Sequence, residues 1–255
     1  MSLRFQRLIG GDLADLPEGL PGLLDDLRFL KERRGEKIVA MEEESEELVG
    51  AIGLHPERDE GGLFYRLSGI EVAAGHRQEG LEAALLVEAE KYLRAARATR
   101  LKFGTSPLLT AAAELYVTRF GARYRWREGA RTADRRPWPY VTCECDFDDP
   151  LARPLDLRDE EVAGRSVLDW STGRPSRRPR VVYAGPLAVL LPDLARDDIA
   201  RAAAADASFL PTLYDAFHEL FHHGYGFAWF DRLPPSEVSA GGARFYYVMN
   251  RLLGL

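Results

Sequence analysis

The stretch "GLFYRLSGIEVAAGHRQEGLEAALLVEAE", residues 62–90, decides the fold. Its first part is rich in β-formers and reads as a strand ending at Val72. A short loop follows and opens a helix in which Leu81, Leu85, Ala89 and Tyr92 make an apolar stripe. A loop with Arg77 and Gly80 running into a helix has the layout of a phosphate-binding turn. The first helical N–H groups have no intrahelical acceptor and the positive end of the helix dipole faces the loop. Gln78, Glu79 and Glu82 are the anomaly, because a phosphate cradle usually has small or neutral residues there.

Working outward, "LRFQRLI" reads as a first strand and "LPGLLDDLRFLKERR" as a helix with Leu23, Leu27 and Leu30 at helical spacing. "EKIVAMEEE" and "ELVGAIGLHP" read as two strands around an acidic turn, Glu42 to Glu47. After the central helix come a strand in "TRLKFGT", a helix in "LLTAAAELYVTRF", and strands in "ARYRWRE" and "PYVTCECDF". This order implies an α+β fold, a mixed α/β sheet with helices packed on it. "DDPLARPLDLRDEE" and "STGRPSRRPR" are rich in Pro, Gly and charge and mark a linker. The expected domains are 1–148 and a smaller C-terminal α/β unit at 149–255. That unit reads as strands in "RVVYAGPLAVLLP", a helix through "DDIARAAAADASFLPTLYDAFHELFHHG", and strands in "YGFAWFD" and "RFYYVMNRL".

The chain of 255 residues, 46% hydrophobic and 29% charged, has the composition of a globular protein. A net charge of -6 argues against a dedicated nucleic-acid binder. "MSLRFQRLIGG" has charges where a signal peptide needs an apolar core, and no apolar run approaches the roughly 20 residues of a membrane span. The expected compartment is the cytoplasm. Cys143 and Cys145 fall on one face of a strand and read as small half-buried residues, since two ligands do not complete a structural zinc site.

Taken with its flanks, the central stretch resembles the acyl-CoA loop of the GNAT acetyltransferase superfamily. In that family a strand ending in Val is followed five residues later by Arg or Gln, then Arg/Gln-x-x-Gly-x-Gly/Ala opens a helix. Val72, Arg77 and Gly80 match at that spacing. "TSPLLTAAAELYVTRFGARY" resembles the family's next motif, and the C-terminal stretch is similar to the tail of a group of uncharacterised two-part GNAT-like proteins. The resemblance implies a GNAT acyl-CoA N-acyltransferase-like fold at 1–148 and acetyl-CoA as co-substrate, with no metal. The co-substrate would be held by Ile70, Val72, Arg77, Gln78, Glu79, Gly80, Leu81 and Glu82. It further implies an amine acceptor, either a small molecule or a peptide, no nucleic-acid or membrane partner, and room for a homodimer. Glu71 is the candidate general base. Tyr116 is the candidate general acid to the leaving thiolate.

Two departures from the family pattern stand out. Glu82 occupies the place of the second small residue, and its charge opposes a phosphate there. Ala112 stands near the place of an Asn common in active members, and Tyr116 precedes Gly121 by five residues, one more than usual. One helical residue is a rotation of about 100°. A GNAT-fold protein that has lost CoA transfer and serves for binding or structure is therefore a second expectation.

A third comes from "HELFH", residues 218–222, which fits His-Glu-x-x-His. On a helix, His218 and His222 share a face suited to zinc, with Glu219 as base of a hydrolase. Against it, Glu237 is the sole candidate third ligand, and Leu213, Phe217, Leu220 and Phe221 already supply an ordinary core face. Trp138 and Tyr140 beside Arg135 and Arg136 read as strand packing or as a ligand-lining aromatic pair.

Overall fold

The computed structural model describes residues 2–9, 35–76, 80–127, 138–154, 164–178, 181, 183–235 and 242–252. The helix expected in "LPGLLDDLRFLKERR" lies outside them, as do Arg135 and Arg136. By packing, the chain divides into two compact units, Met1–Phe103 with Asp146–Asp148, and Gly104–Cys145 with Asp149–Leu255.

In the first unit the strands are β1 (Leu3–Ile9), β2 (Glu36–Glu42), β3 (Leu48–Asp59), β4 (Gly62–Val72) and β5 (Arg100–Thr105). They lie side by side in that order. The first four are joined antiparallel, whereas β5 runs parallel to β4. The parallel step needs a crossover, and α1 (Leu81–Ala95) supplies it. The helix packs on β2, β3 and β4. Its stripe of Leu81, Leu85, Leu86, Ala89 and Leu93 is buried, with Ile52 and Leu54 of β3 in the same core. Each of these leucine and isoleucine side chains stabilises the fold by about 1.5–3 kcal/mol.

The stripe ends at Tyr92, which is half-buried because its hydroxyl meets polar groups. It lies 3.2 Å from the Tyr65 hydroxyl, and the Arg7 guanidinium stands 5.3 Å from its ring centre. Burial, then the neighbouring Glu36 and Tyr65, raise its pKa above the usual phenol range. At the β3–β4 turn, Asp59 accepts the Gly61 N–H at 2.9 Å and binds Arg100 and Lys102 at 2.6 Å each. Those two cations hold its carboxyl below the usual range.

In the second unit a short helix, α2 (Thr110–Ala113), continues as a π-helical turn, Glu114–Arg119. β6 (Arg123–Trp126) and β7 (Val141–Asp146) pair antiparallel. Two-residue strands β8 (Leu168–Asp169) and β9 (Ser176–Arg177) form a ladder of their own. The remaining strands are β10 (Leu187–Pro192), β11 (Tyr225–Arg232) and β12 (Ala243–Arg251), with β12 central in their sheet. The single helix expected over 197–224 is two, α3 (Arg196–Ala205) and α4 (Phe209–His222). Asp206 breaks them: its carboxylate accepts the Ser208 N–H at 2.8 Å, an Asx turn that competes with helix continuation.

This unit is held by aromatic packing. Phe217, Phe230 and Tyr247 are fully buried, and Trp126 stacks on Phe221 with ring centres 5.0 Å apart. β11 is bolted to the π turn: Thr118 donates to the Phe230 carbonyl at 3.2 Å, and Arg232 grips Glu114 through two bonds of 2.6 Å. Cys143 and Cys145 are fully buried rather than half-buried, since this sheet is covered on their face. Burial pushes the Cys143 thiol up. No helix among the described residues is long and apolar enough to cross a membrane.

Candidate functional site

The expected site begins where β4 parts from β5. Their pairing covers Phe64–Arg66 against Arg100–Lys102, yet β4 continues to Val72. The cause is local. Gly53 pairs with Gly69 and Leu54 with Leu67, so Ser68 is an extra residue, a β-bulge. A bulge bends its strand and increases its twist. The only sequence sign of it was the Gly in "RLSGIEV", an interruption that marks a bulge or a close approach. Gly69 follows the bulge, and the close approach is on the paired strand: a side chain at Gly53 would fall 2.0 Å from the Ser68 hydroxyl oxygen.

The register assigns the main chain beyond the bulge. Ala73 donates to Val49 at 2.8 Å, so that pair is hydrogen-bonded. Such pairs alternate in an antiparallel ladder. Gly69 and Glu71 therefore turn N–H and C=O toward β3. Ile70 and Val72 turn theirs to the other side, the side on which β5 lies for Phe64–Arg66. The side chains alternate the other way. Gly50 lies under Leu81 and Leu85 of α1, and Val72 pairs with Gly50, so Ile70 and Val72 face the helix. Glu71, paired with Ala51, is half-buried on the opposite face.

A 3-10 turn, Ala74–His76, leads from β4 into the loop. Arg77, Gln78 and Glu79 lie outside the described residues. Gly80 is the N-cap of α1 with φ 74°, a left-handed conformation that favours glycine, and no atom lies within 4 Å of where its side chain would stand. Gly80 has no side chain with which to cap the helix, whose first internal bond runs from the Ala84 N–H to the Gly80 carbonyl at 3.1 Å. The N–H groups of Leu81, Glu82 and Ala83 thus point out of the helix end. Leu81 contributes only its main chain, since its side chain is 1% exposed against the sheet.

Glu82 falls on the packed side of the helix. Residues at i, i+4, i+7 and i+11 share a helix face, and the partners of Glu82 at those steps are Leu86, Ala89 and Leu93, all buried. Its carboxylate is half-buried at the first turn. The residue therefore stands on the packed face at the helix end.

Tyr116 belongs to the second unit and is 9% exposed. The π turn carries it: Phe120 bonds back to Leu115 at 3.3 Å, an i to i−5 step, and Ala122 bonds back to Tyr116 at 2.9 Å. A π turn accommodates one residue more than an α turn. It therefore absorbs the extra residue between Tyr116 and Gly121, so the α-helical rotation expected from the sequence does not accumulate. Gly121 ends the segment with φ 60°, and a side chain there would come within 2.9 Å of Leu151 main chain.

The "HELFH" residues do other work. Glu219 accepts from Arg177 on one oxygen and from the Tyr183 hydroxyl on the other. His218 stacks on Tyr214 at 5.5 Å between ring centres, and His222 is exposed. Among the described residues no three His, Cys, Asp or Glu side chains group as a metal site would need. Tyr140 packs over Gly104, where a side chain would fall 1.6 Å from its hydroxyl oxygen.

Comparison with known proteins adds the following. Residues 12–122 match the model of the acetyltransferase (GNAT) family. Solved structures similar to the chain include three acetyltransferases. The IAA acetyltransferase from Bacillus cereus shares 16% identity at a TM-score of 0.42, over 57% of this chain and 99% of its own. A Bacillus subtilis acetyltransferase in complex with CoA shares 19% at 0.40, over 56% and 99%. An N-acetyltransferase from Staphylococcus aureus Mu50 shares 10% at 0.46, over 58% and 100%. A comparison with curated proteins gives no match. The strand register and the family match, and not these likenesses, carry the fold: an α+β GNAT acyl-CoA N-acyltransferase-like fold.

Proposed function

We propose that this chain, a member of the acetyltransferase (GNAT) family through residues 12–122, transfers an acetyl group from acetyl-CoA to an amine. The observation that carries this reading is the paired geometry of β4 and α1. Ile70 and Val72 turn main-chain donors and acceptors away from β3 just beyond a bulge, and α1 starts after Gly80, which has no side chain to occupy the helix end. The first suits the amide groups of a pantetheine arm, and the second suits a pyrophosphate. Arg77, Gln78 and Glu79 complete the loop in this proposal. The CoA-bound B. subtilis structure is consistent with such a co-substrate.

The chemistry proposed is direct transfer. Glu71 takes a proton from the acceptor ammonium. The amine nitrogen attacks the thioester carbonyl; as the C–S bond breaks the thiolate takes a proton from Tyr116, and the surplus proton on the new amide nitrogen passes to solvent, from which Tyr116 is reprotonated. A positioned base or acid contributes typically 10²–10⁴-fold. Thiol release measured across a panel of small amines and peptide N-termini tests the reading. Glu71→Gln and Tyr116→Phe are each expected to lower kcat about a hundredfold with KM for acetyl-CoA little changed. No turnover with any amine by the unaltered protein refutes it.

Glu82 favours a second reading, a GNAT-fold protein that binds or scaffolds without transfer. A carboxylate on the packed side of the helix end opposes a pyrophosphate. Binding of CoA without turnover, or no binding, distinguishes this reading from the first.

A further inference from the structure

The family match ends at residue 122. The segment that carries Tyr116 is nevertheless anchored by residues well beyond that point, all of them in the second unit. At its front, Thr110 opens α2 and is fully buried. Its hydroxyl accepts the Leu194 N–H at 3.0 Å and donates to the Asp193 carboxylate at 3.1 Å, just past β10. A hydroxyl has one proton to give and lone pairs to accept with, so Thr110 commits both functions to one short stretch of chain. Three residues earlier, the Pro107 carbonyl accepts the buried Tyr247 hydroxyl of β12 at 2.8 Å.

At its rear, β11 holds the π turn on either side of Tyr116. Arg232 binds Glu114, and the Phe230 carbonyl accepts the Thr118 hydroxyl. Glu114 and Thr118 are four residues apart and share a side of the turn, whereas Tyr116, two residues from each, does not face them. β11 thus grips the turn from the side that Tyr116 leaves free.

We propose that β10, β11 and β12 form a brace that sets where the Tyr116 phenol stands, with Thr110 as its positioning residue. The purpose of the brace rests on the acyl-transfer reading, in which Tyr116 is the acid. The exposed Arg232–Glu114 pair holds the turn weakly, because surface ion pairs contribute little. The Thr110 hydroxyl is the stronger anchor, since its loss strands the buried Leu194 N–H without an acceptor. A misplacement of about 1 Å at a reacting group costs up to about a hundredfold in rate.

Thr110→Val keeps the side-chain shape and removes the hydroxyl, and Thr110→Ser keeps the hydroxyl. With acetyl-CoA and an amine, Thr110→Val is expected to lower kcat about tenfold with KM for acetyl-CoA unchanged, and Thr110→Ser to recover it. Fluorotyrosine in place of Tyr116 reads the same displacement without turnover. Its fluorine resonance should move or broaden in Thr110→Val and return in Thr110→Ser. Fluorotyrosine in place of Tyr225, whose hydroxyl bonds the Gly185 carbonyl at 3.1 Å, should stay unmoved in both. Where Thr110→Val does not fold, Arg232→Ala at the surface takes its place, with the same selective shift expected at position 116. An unmoved resonance at 116, a shift shared by 225, or a loss of kcat that Thr110→Ser does not recover overturns the brace. Absence of turnover in the unaltered protein refutes the acyl-transfer reading instead, and the resonances still decide whether the brace exists.

Discussion

Removing the charge of Glu82 should tighten CoA binding. The carboxylate sits on the second helical residue of α1, half-buried, on the same face as Leu86, Ala89 and Leu93. A phosphate held by the helix end would lie about 6 Å away on the scale of one helical turn. Two like charges at that separation repel by about 3 kcal/mol at an effective dielectric near 20. Half-exposure and salt reduce this to about 1.4 kcal/mol. The expected gain is therefore about tenfold, with about a hundredfold as the upper bound. Glu82→Gln tests charge at constant size, and Glu82→Ala also opens space. Each loses a favourable carboxylate at a helix N-terminus, worth about 0.3–1 kcal/mol, so Tm should fall slightly while affinity rises. Calorimetric titration with CoA at low and high salt reads the effect, and the gain should shrink as salt is added. Unchanged or weaker CoA binding by Glu82→Gln would refute the electrostatic account of this residue.

Three further outcomes follow from the geometry. Tyr92, Tyr124 and Tyr247 all have folded-state pKa values raised by burial. Their contribution to stability is complete below the unfolded phenol value of about 10 and is lost as pH rises above it toward the folded values. Denaturant midpoints should therefore fall above about pH 10, and less steeply in Tyr92→Phe. Gly121→Ala should destabilise by about 3 kcal/mol in urea unfolding, combining a left-handed backbone with a clash against Leu151; a loss below about 1 kcal/mol would contradict the assigned conformation. Adding zinc should leave Tm unchanged in both the unaltered protein and His222→Ala, because Glu219 is engaged by Arg177 and Tyr183; a zinc-dependent rise that His222→Ala abolishes would restore the hydrolase reading.

The sheet of the first unit was legible because β2, β3 and β4 follow one another antiparallel, with turns marked by acidic residues or by glycine. The α1 stripe was legible from its spacing. Single-residue insertions were not legible. Ser68 and Ala228 each add one residue to a strand, and the turn around Tyr116 adds one to a helix. An insertion leaves composition and average periodicity almost untouched, yet it changes the direction of every later residue. Tyr116 shows the consequence: ideal α geometry turned it out of phase, and the π turn absorbs that error. The break at Asp206 is masked in the sequence because the Ala-rich stretch on one side and the amphipathic stretch on the other both follow helical periodicity. The helix face on which Glu82 stands was legible, as its spacing to Leu86, Ala89 and Leu93 places it on the packed face.

The central claim is that β4 and the start of α1 form an acyl-CoA site. A crystal structure of the protein grown with millimolar CoA tests it most directly. The account predicts pyrophosphate oxygens within hydrogen-bonding distance of the main-chain N–H groups at the start of α1, and the pantetheine amides paired with Ile70 or Val72. CoA bound elsewhere, or absent at that concentration, would contradict it.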